Sequence, residues 1–288
     1  MSDEEPFFPW FDVVIDDLQI KDRSLGHVEF EAHNQLSPKG DRFWLLNNVQ
    51  LTNADTALKA SAQWTPLRES NSIGTQSKID LTLDIFNSGR LLTRLGTPGV
   101  VRDGKGTLNG QLTWKGSLIN PDFESLNGYF SLDVEKGQFL KTDPGASRLL
   151  GVLNLQALPR RLTLDFRDLF GEGFAFDQFK GDIAVKDGTA TTQNLVMKGV
   201  SGTVKLDGSA NIGAETQDMR VVVVPEINAG TASLLYSTVN PLVGLTSFIA
   251  QYVIRQPLIQ ANTRTFRISG SWSDPNVTKI ETPVEELK

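Results

Sequence analysis

There is no cysteine among the 288 residues. That removes disulfides, thiolate metal sites and cysteine nucleophiles together. Histidine is scarce too, with two in the chain, so imidazole-based acid–base or zinc chemistry has little to draw on. No basic stripe is present, and a net charge of -6 with a pI of about 5.1 argues against nucleic acid as a partner. Apolar residues make up 39 % and the mean hydropathy is -0.19, so there is apolar surface to bury but no surplus of it. The opening Met1-Ser2-Asp3-Glu4-Glu5 is acidic and has neither the basic nor the apolar region of a secretory leader. A strand pattern is already running at Val13 to Ile20, so the chain reads as a piece of a longer protein whose targeting signal lies upstream.

What is present is a strand cassette that recurs almost end to end. Lys78-Ile79-Asp80-Leu81-Thr82-Leu83-Asp84-Ile85 alternates polar and apolar residues, and so does Thr203-Val204-Lys205-Leu206. A period of two places every apolar side chain on one face of a sheet. Gly, Asp or Asn turns separate the copies. The pattern predicts a mainly β, antiparallel fold that is apolar on one face and wet on the other.

Interruptions are few. Residues 65–76 hold Pro, Glu, Ser, Asn and Gly and read as an exposed loop. Leu91, Leu92 and Leu95 have helical spacing after a possible Asn87 or Ser88 cap, with Gly96 and Pro98 as stops, so a short amphipathic helix is expected near 87–95. A second is expected over 144–158, behind the Asp143-Pro144 start and before Pro159. Arg264 to Trp272 reads as the last strand, with a frayed acidic tail from Thr278 to Lys288. The turn Gly116-Ser117 to Asn120-Pro121 is echoed by Gly270-Ser271 to Asp274-Pro275. Three regions follow: N-terminal strands over 1–76, a main region over 77–280, and a disordered tail over 281–288.

The block Ile227 to Ile254 carries no charged residue. It is long enough to span a bilayer, but Asn228, Asn240, Pro241, Ser247 and Gln251 make a poor transmembrane helix. Short helices within 229–256 are expected, divided at Pro241. Leu242, Leu245, Ile249, Tyr252 and Val253 form the apolar face of the second. It either plugs the end of the sheet or dips into a membrane surface.

Candidates for chemistry are weak. His27, Glu29, Glu31 and His33 share a strand face, but at ~3.3 Å per residue the two imidazoles stand roughly 20 Å apart. Asp16 and Asp17 are strand neighbours and point to opposite faces. Asp165 and Asp168 among Arg160, Arg161 and Arg167 read as a solvated, ion-paired strand. No phosphate loop, nucleophile elbow or zinc spacing occurs. Neither an enzyme, a cofactor nor a metal site is expected.

Leu158-Pro159-Arg160-Arg161-Leu162-Thr163-Leu164-Asp165-Phe166 and Gly173-Phe174-Ala175-Phe176-Asp177 resemble the AsmA-like family of Gram-negative envelope proteins. Asn240-Pro241 and Ser269-Gly270-Ser271-Trp272-Ser273-Asp274-Pro275 extend the resemblance. It implies an elongated, strongly curved sheet enclosing a hydrophobic groove. It further implies a periplasmic segment of an inner-membrane-anchored protein that moves phospholipids toward the outer membrane. The implied lipid-binding lining is the alternating apolar set: Phe30, Leu81, Leu83, Leu112, Trp114, Phe130 and Leu132, then Val204, Leu206, Val221, Val223, Phe266 and Ile268. Phospholipids are the implied partner, with the 229–256 helices touching the membrane surface. The alternative is a structural or adaptor domain of the envelope, with the sheet closed on its own core.

Overall fold

The structure, a computed structural model, describes residues 10–20, 22–37, 40–69, 72–118, 120–140, 173–225 and 263–280. Within them the chain forms β1 (Trp10–Ile20), β2 (Arg23–Leu36), β3 (Arg42–Thr52), β4 (Thr56–Glu69) and β5 (Ser72–Ile85). The helix α1 (Ser88–Arg94) precedes β6 (Val101–Lys115) and β7 (Asn127–Phe139). Then come β8 (Phe174–Lys186), β9 (Thr189–Gly199), β10 (Gly202–Asn211), β11 (Thr216–Pro225), β12 (Arg264–Ser271) and β13 (Pro275–Ile280). All thirteen lie in one sheet in strict chain order, every neighbouring pair antiparallel. The first and last strands do not meet, so the sheet is a curved, open meander.

Close approach on the inner face accompanies the curvature. At Gly110 on β6, a Cβ would lie 2.5 Å from the Phe130 ring and 2.6 Å from the Tyr129 carbonyl. Only a residue without a side chain lets β7 come so near. Gly110→Ala should lower stability by about 1–3 kcal/mol, through overpacking rather than lost burial. Urea denaturation reads this; a wild-type midpoint would show that Phe130 can step aside.

Two expectations fail here. Residues 65–76 are not a loop: Thr65 pairs with Gln76, Pro66 with Thr75 and Leu67 with Gly74. This ribbon extends past the partners of β4 and β5 on either side, whose pairing stops at Trp44 and Lys115. Pro66 therefore faces no outer strand that would need its missing N–H. The second correction is at the C-terminal end. Pro275–Ile280 is a further strand, pairing Val277 with Ile268 and Lys279 with Phe266, so Thr278 to Ile280 are not part of a frayed tail.

The expected helix near 87–95 is found as Ser88–Arg94, with the Asn87 side chain accepting the Arg90 N–H at 2.9 Å. The helices expected at 144–158 and 229–256 lie outside the described residues, as do the Asp165 and Asp168 cluster and the 281–288 tail. The echoed turns share a geometry, since Gly116 and Gly270 have φ of 107° and 95°.

Candidate functional site

The register carries one apolar face across the sheet. Val28 faces Leu51, then Leu58, Leu83, Leu108 and Leu132 across successive strands. A neighbouring row runs Ala60, Leu81, Gly110, Phe130 and Ile183. Val134 leads on to Phe179, Met197, Val204 and Val223. Leu206 faces Val221, which faces Phe266, while Met219 faces Ile268. Phe30, opposite Val13, and Leu112, opposite Ile79, share this face. Every lining residue proposed from the sequence therefore sits on it, with Trp114 opposite Ser77 near one rim.

Burial divides the set. Phe30, Leu81, Leu83, Leu112, Phe130 and Leu132 are half-buried. Val204 is 0 % exposed, Leu206, Val221 and Phe266 are 1 %, and Ile268 is 2 %. Along β8 to β12 the face is a packed core that reaches Ile85 and Val134 and has Leu83 and Leu132 against its edge, whereas Phe30 and Leu81 on β2 and β5 are half-buried outside it. The same alternation produces both halves. Leu242, Leu245, Ile249, Tyr252 and Val253 lie outside the described residues.

The opposite face is polar and paired. Arg220 donates to Asp207 at 2.9 Å, Arg267 to Asp218 at 2.7 and 2.6 Å, and Asn194 to Asp182 at 2.7 Å. His27 reaches Glu29 at 2.8 Å and His33 reaches Glu31 at 3.5 Å. Among the described residues no group of three or more His, Asp or Glu side chains could hold a metal ion.

Proton affinities on this side fit solvated pairs rather than acid catalysis. The Arg267 hydrogen bond and charge hold Asp218 below the ordinary aspartate value of 3.8. Hydrogen bonds from Asn194 and Ser131 do the same for Asp182, and bonds from Ser24 and Gln19 for Asp17. A general acid needs the opposite displacement. A carboxylate depressed in the folded state contributes stability above its unfolded value, and that contribution is lost as pH falls through the folded one. Stability should therefore decline on acidification below about pH 4. Asp218→Asn should flatten that limb of a urea-midpoint titration; an unchanged limb would remove Asp218 from the account.

Sequence reasoning missed a second feature. All five tryptophans collect at the rim where β6 ends and β7 begins. Trp44 faces Trp64, Trp64 faces Ser77, and Ser77 faces Trp114. Trp10 lies level with His33 at the same end of β1, and Trp272 directly follows β12. At the opposite rim α1 packs on β6 and touches β2, and its Leu91 packs on the core. Alternation places a tryptophan on a face, but only cross-strand register lines several up.

These features define a class: an open, one-sided β-sheet scaffold offering an apolar face, with ion pairs on its back and at the α1 rim. The family described as YhdP protein matches residues 3–277, and the chain belongs to it. A relative is the Intermembrane phospholipid transporter YhdP of Escherichia coli (strain K12), 29 % identical over 253 residues, covering 86 % of this chain and 19 % of that protein. The chain thus spans about a fifth of the length of the relative it matches. No solved structure matches it. Among the described residues no helix is long and apolar enough to cross a membrane.

Proposed function

We propose that this chain is a segment of an intermembrane phospholipid carrier and that it shields acyl chains on the inner face of its sheet. The observation that carries this reading is the continuous apolar face, half-buried rather than filled over the middle of β2 to β7. Phe30, Leu81, Leu83, Leu112, Phe130 and Leu132 are the contact residues, with Trp114 at their rim. The mechanism is passive. Each CH₂ kept from water is worth ~0.8 kcal/mol, so a sixteen-carbon chain on such a face avoids roughly 10 kcal/mol of exposure. No residue needs to do chemistry, which agrees with a polar face made of paired charges.

The same reading places the segment in the periplasm, between an inner-membrane anchor and the outer membrane. Its family membership and its relative's printed name support that placement. A membrane contact through Leu242, Leu245, Ile249, Tyr252 and Val253 rests on sequence pattern alone. A second reading, a structural or adaptor module, is favoured by one observation: β8 to β12 form a filled core. The two readings divide the sheet between them, with lipid on the open strands and scaffold beyond.

Organic extraction of the purified chain followed by mass spectrometry tests this. Near-stoichiometric phospholipid is expected. A folded chain that retains none, and takes none from vesicles, would leave the adaptor reading.

A further inference from the structure

The row Asn34, Trp44, Trp64, Ser77 and Trp114 crosses the inner face at one level, from β2 to β6. Phe11 stacks on Trp44, with ring centroids 5.5 Å apart and planes 19° apart. Two members of the row hold polar atoms that are out of solvent and unpartnered: the Trp64 indole N–H and the Asn34 amide oxygen. Trp114 differs, since its N–H donates to the Ser117 carbonyl at 2.8 Å. A buried donor without an acceptor is rare in native proteins and calls for an explanation.

Indole is also the side chain that favours boundaries, with an apolar body and one polar edge. In membranes it gathers where hydrocarbon meets head groups. Below the row on β5, Ile79, Leu81, Leu83 and Ile85 continue the apolar face toward α1. From Ser77 to the half-buried Leu83 that is six positions, about 20 Å at ~3.3 Å each. One leaflet's share of a ~30 Å hydrocarbon core is about 15 Å. A single acyl chain therefore fits between the tryptophan row and the α1 rim.

We propose that this rim is the polar boundary of the lipid site. The glycerol ester and phosphate of a glycerophospholipid lie at Trp64, between Trp44 and the buried Ser77, and Trp64 donates its N–H to an ester or phosphate oxygen. The acyl chains run along the strands toward α1. This rests on the lipid-carrier reading above, and it adds the orientation of the cargo and the residue that reads its polar end.

Because every tryptophan lies at this end of the strands, three of them in the row itself, indole emission reports how near a quencher lies to that end. The 288-residue chain would be loaded from vesicles of phosphatidylethanolamine and phosphatidylglycerol. A nitroxide would be placed either on the head group or near the acyl terminus. Head-group label should quench strongly and terminal label weakly. Equal or reversed quenching would overturn the orientation while leaving the carrier reading intact. No quenching by either label, together with no lipid in the recovered protein, would sink the carrier reading itself. Trp64→Phe keeps an aromatic ring, though a smaller one, and removes the donor. Its lipid retention should fall about 3- to 10-fold at an unchanged melting temperature, the range of one hydrogen bond. Unchanged retention would overturn the role of Trp64.

Discussion

Leu206→Glu is expected to unfold the protein, whereas Leu81→Glu is expected to leave it folded and empty of lipid. The substitutions are chemically identical and fall on the same face, five strands apart by register. Leu206 is 1 % exposed, between Leu195 and Val221, and no cation faces it from either strand. A carboxylate there loses its hydration without gaining a partner, which costs several kcal/mol. Single domains have only about 5–15 kcal/mol in total. Leu81 is half-buried, with the side-chain-free Gly110 beside it, so a glutamate can keep its head in water at a cost of about 1 kcal/mol. What it cannot do is accept an acyl chain against that head.

Circular dichroism melts and lipid extraction separate the two outcomes. Acid supplies a further check. A buried glutamate is cheaper to hold neutral, so the Leu206 variant should regain structure as pH falls, opposite in sign to the acid weakening expected of the native carboxylates. A Leu206 variant that melts with the wild type would show that β8 to β12 are not a packed core. A Leu81 variant that folds and still retains its full lipid load would place the cargo elsewhere.

Why the sequence did not distinguish those positions is itself physical. Thr203 to Leu206 and Lys78 to Leu81 carry the same alternation. Alternation states which face a side chain takes, and both took the expected face. Whether that face is filled depends on what the rest of the chain brings against it, which no local pattern encodes. Strands and α1 were legible for the opposite reason, because alternation, the Asn87 cap and the Leu91 spacing are local. The 65–76 ribbon was missed because Pro and Gly usually end strands, and only the absence of an outer neighbour at Pro66 makes the strand tolerable. The tryptophan row was hidden because hairpin lengths and the bulge at Asn47 and Asn48 set which residues share a level.

Asp55 left no sequence signal beyond a turn, yet its removal should be the most damaging polar change. It is 4 % exposed, its carboxylate accepts from Arg90 at 2.6 Å and Arg94 at 2.7 Å, and its carbonyl accepts the Phe86 and Asn87 N–H groups at 2.9 and 3.2 Å. Arg94 also donates to the Ser24 carbonyl at 2.7 Å, and Arg23 donates to that of Leu95 at 2.7 Å. The carboxylate thus ties the β3 to β4 turn to α1, while the Asp55 carbonyl holds the end of β5 and the Arg94 and Arg23 bonds link α1 to the start of β2. Breaking a fully buried pair costs about 3–5 kcal/mol, but Arg90 can return to water, so Asp55→Ala should cost about 2–3 kcal/mol. Asp55→Asn keeps the shape and one acceptor oxygen, so it should lose less than the alanine variant while still falling short of the carboxylate, which alone can serve both guanidinia with charge.

The loss should be local before it is global. Leu91 and Leu95 N–H groups donate to the Asn87 and Leu91 carbonyls at 3.0 and 2.9 Å, so their hydrogen exchange should accelerate first, while β10 to β12 stay protected. Wild-type exchange in α1 together with an unshifted urea midpoint would show that apolar packing of Leu91 suffices to hold the helix. If α1 does loosen, the rim it closes opens opposite the tryptophan row. Acyl ends lying beside Leu83 would then meet water, so retained lipid should fall in proportion to α1 exchange even though neither Asp55 nor α1 touches the polar end of the cargo.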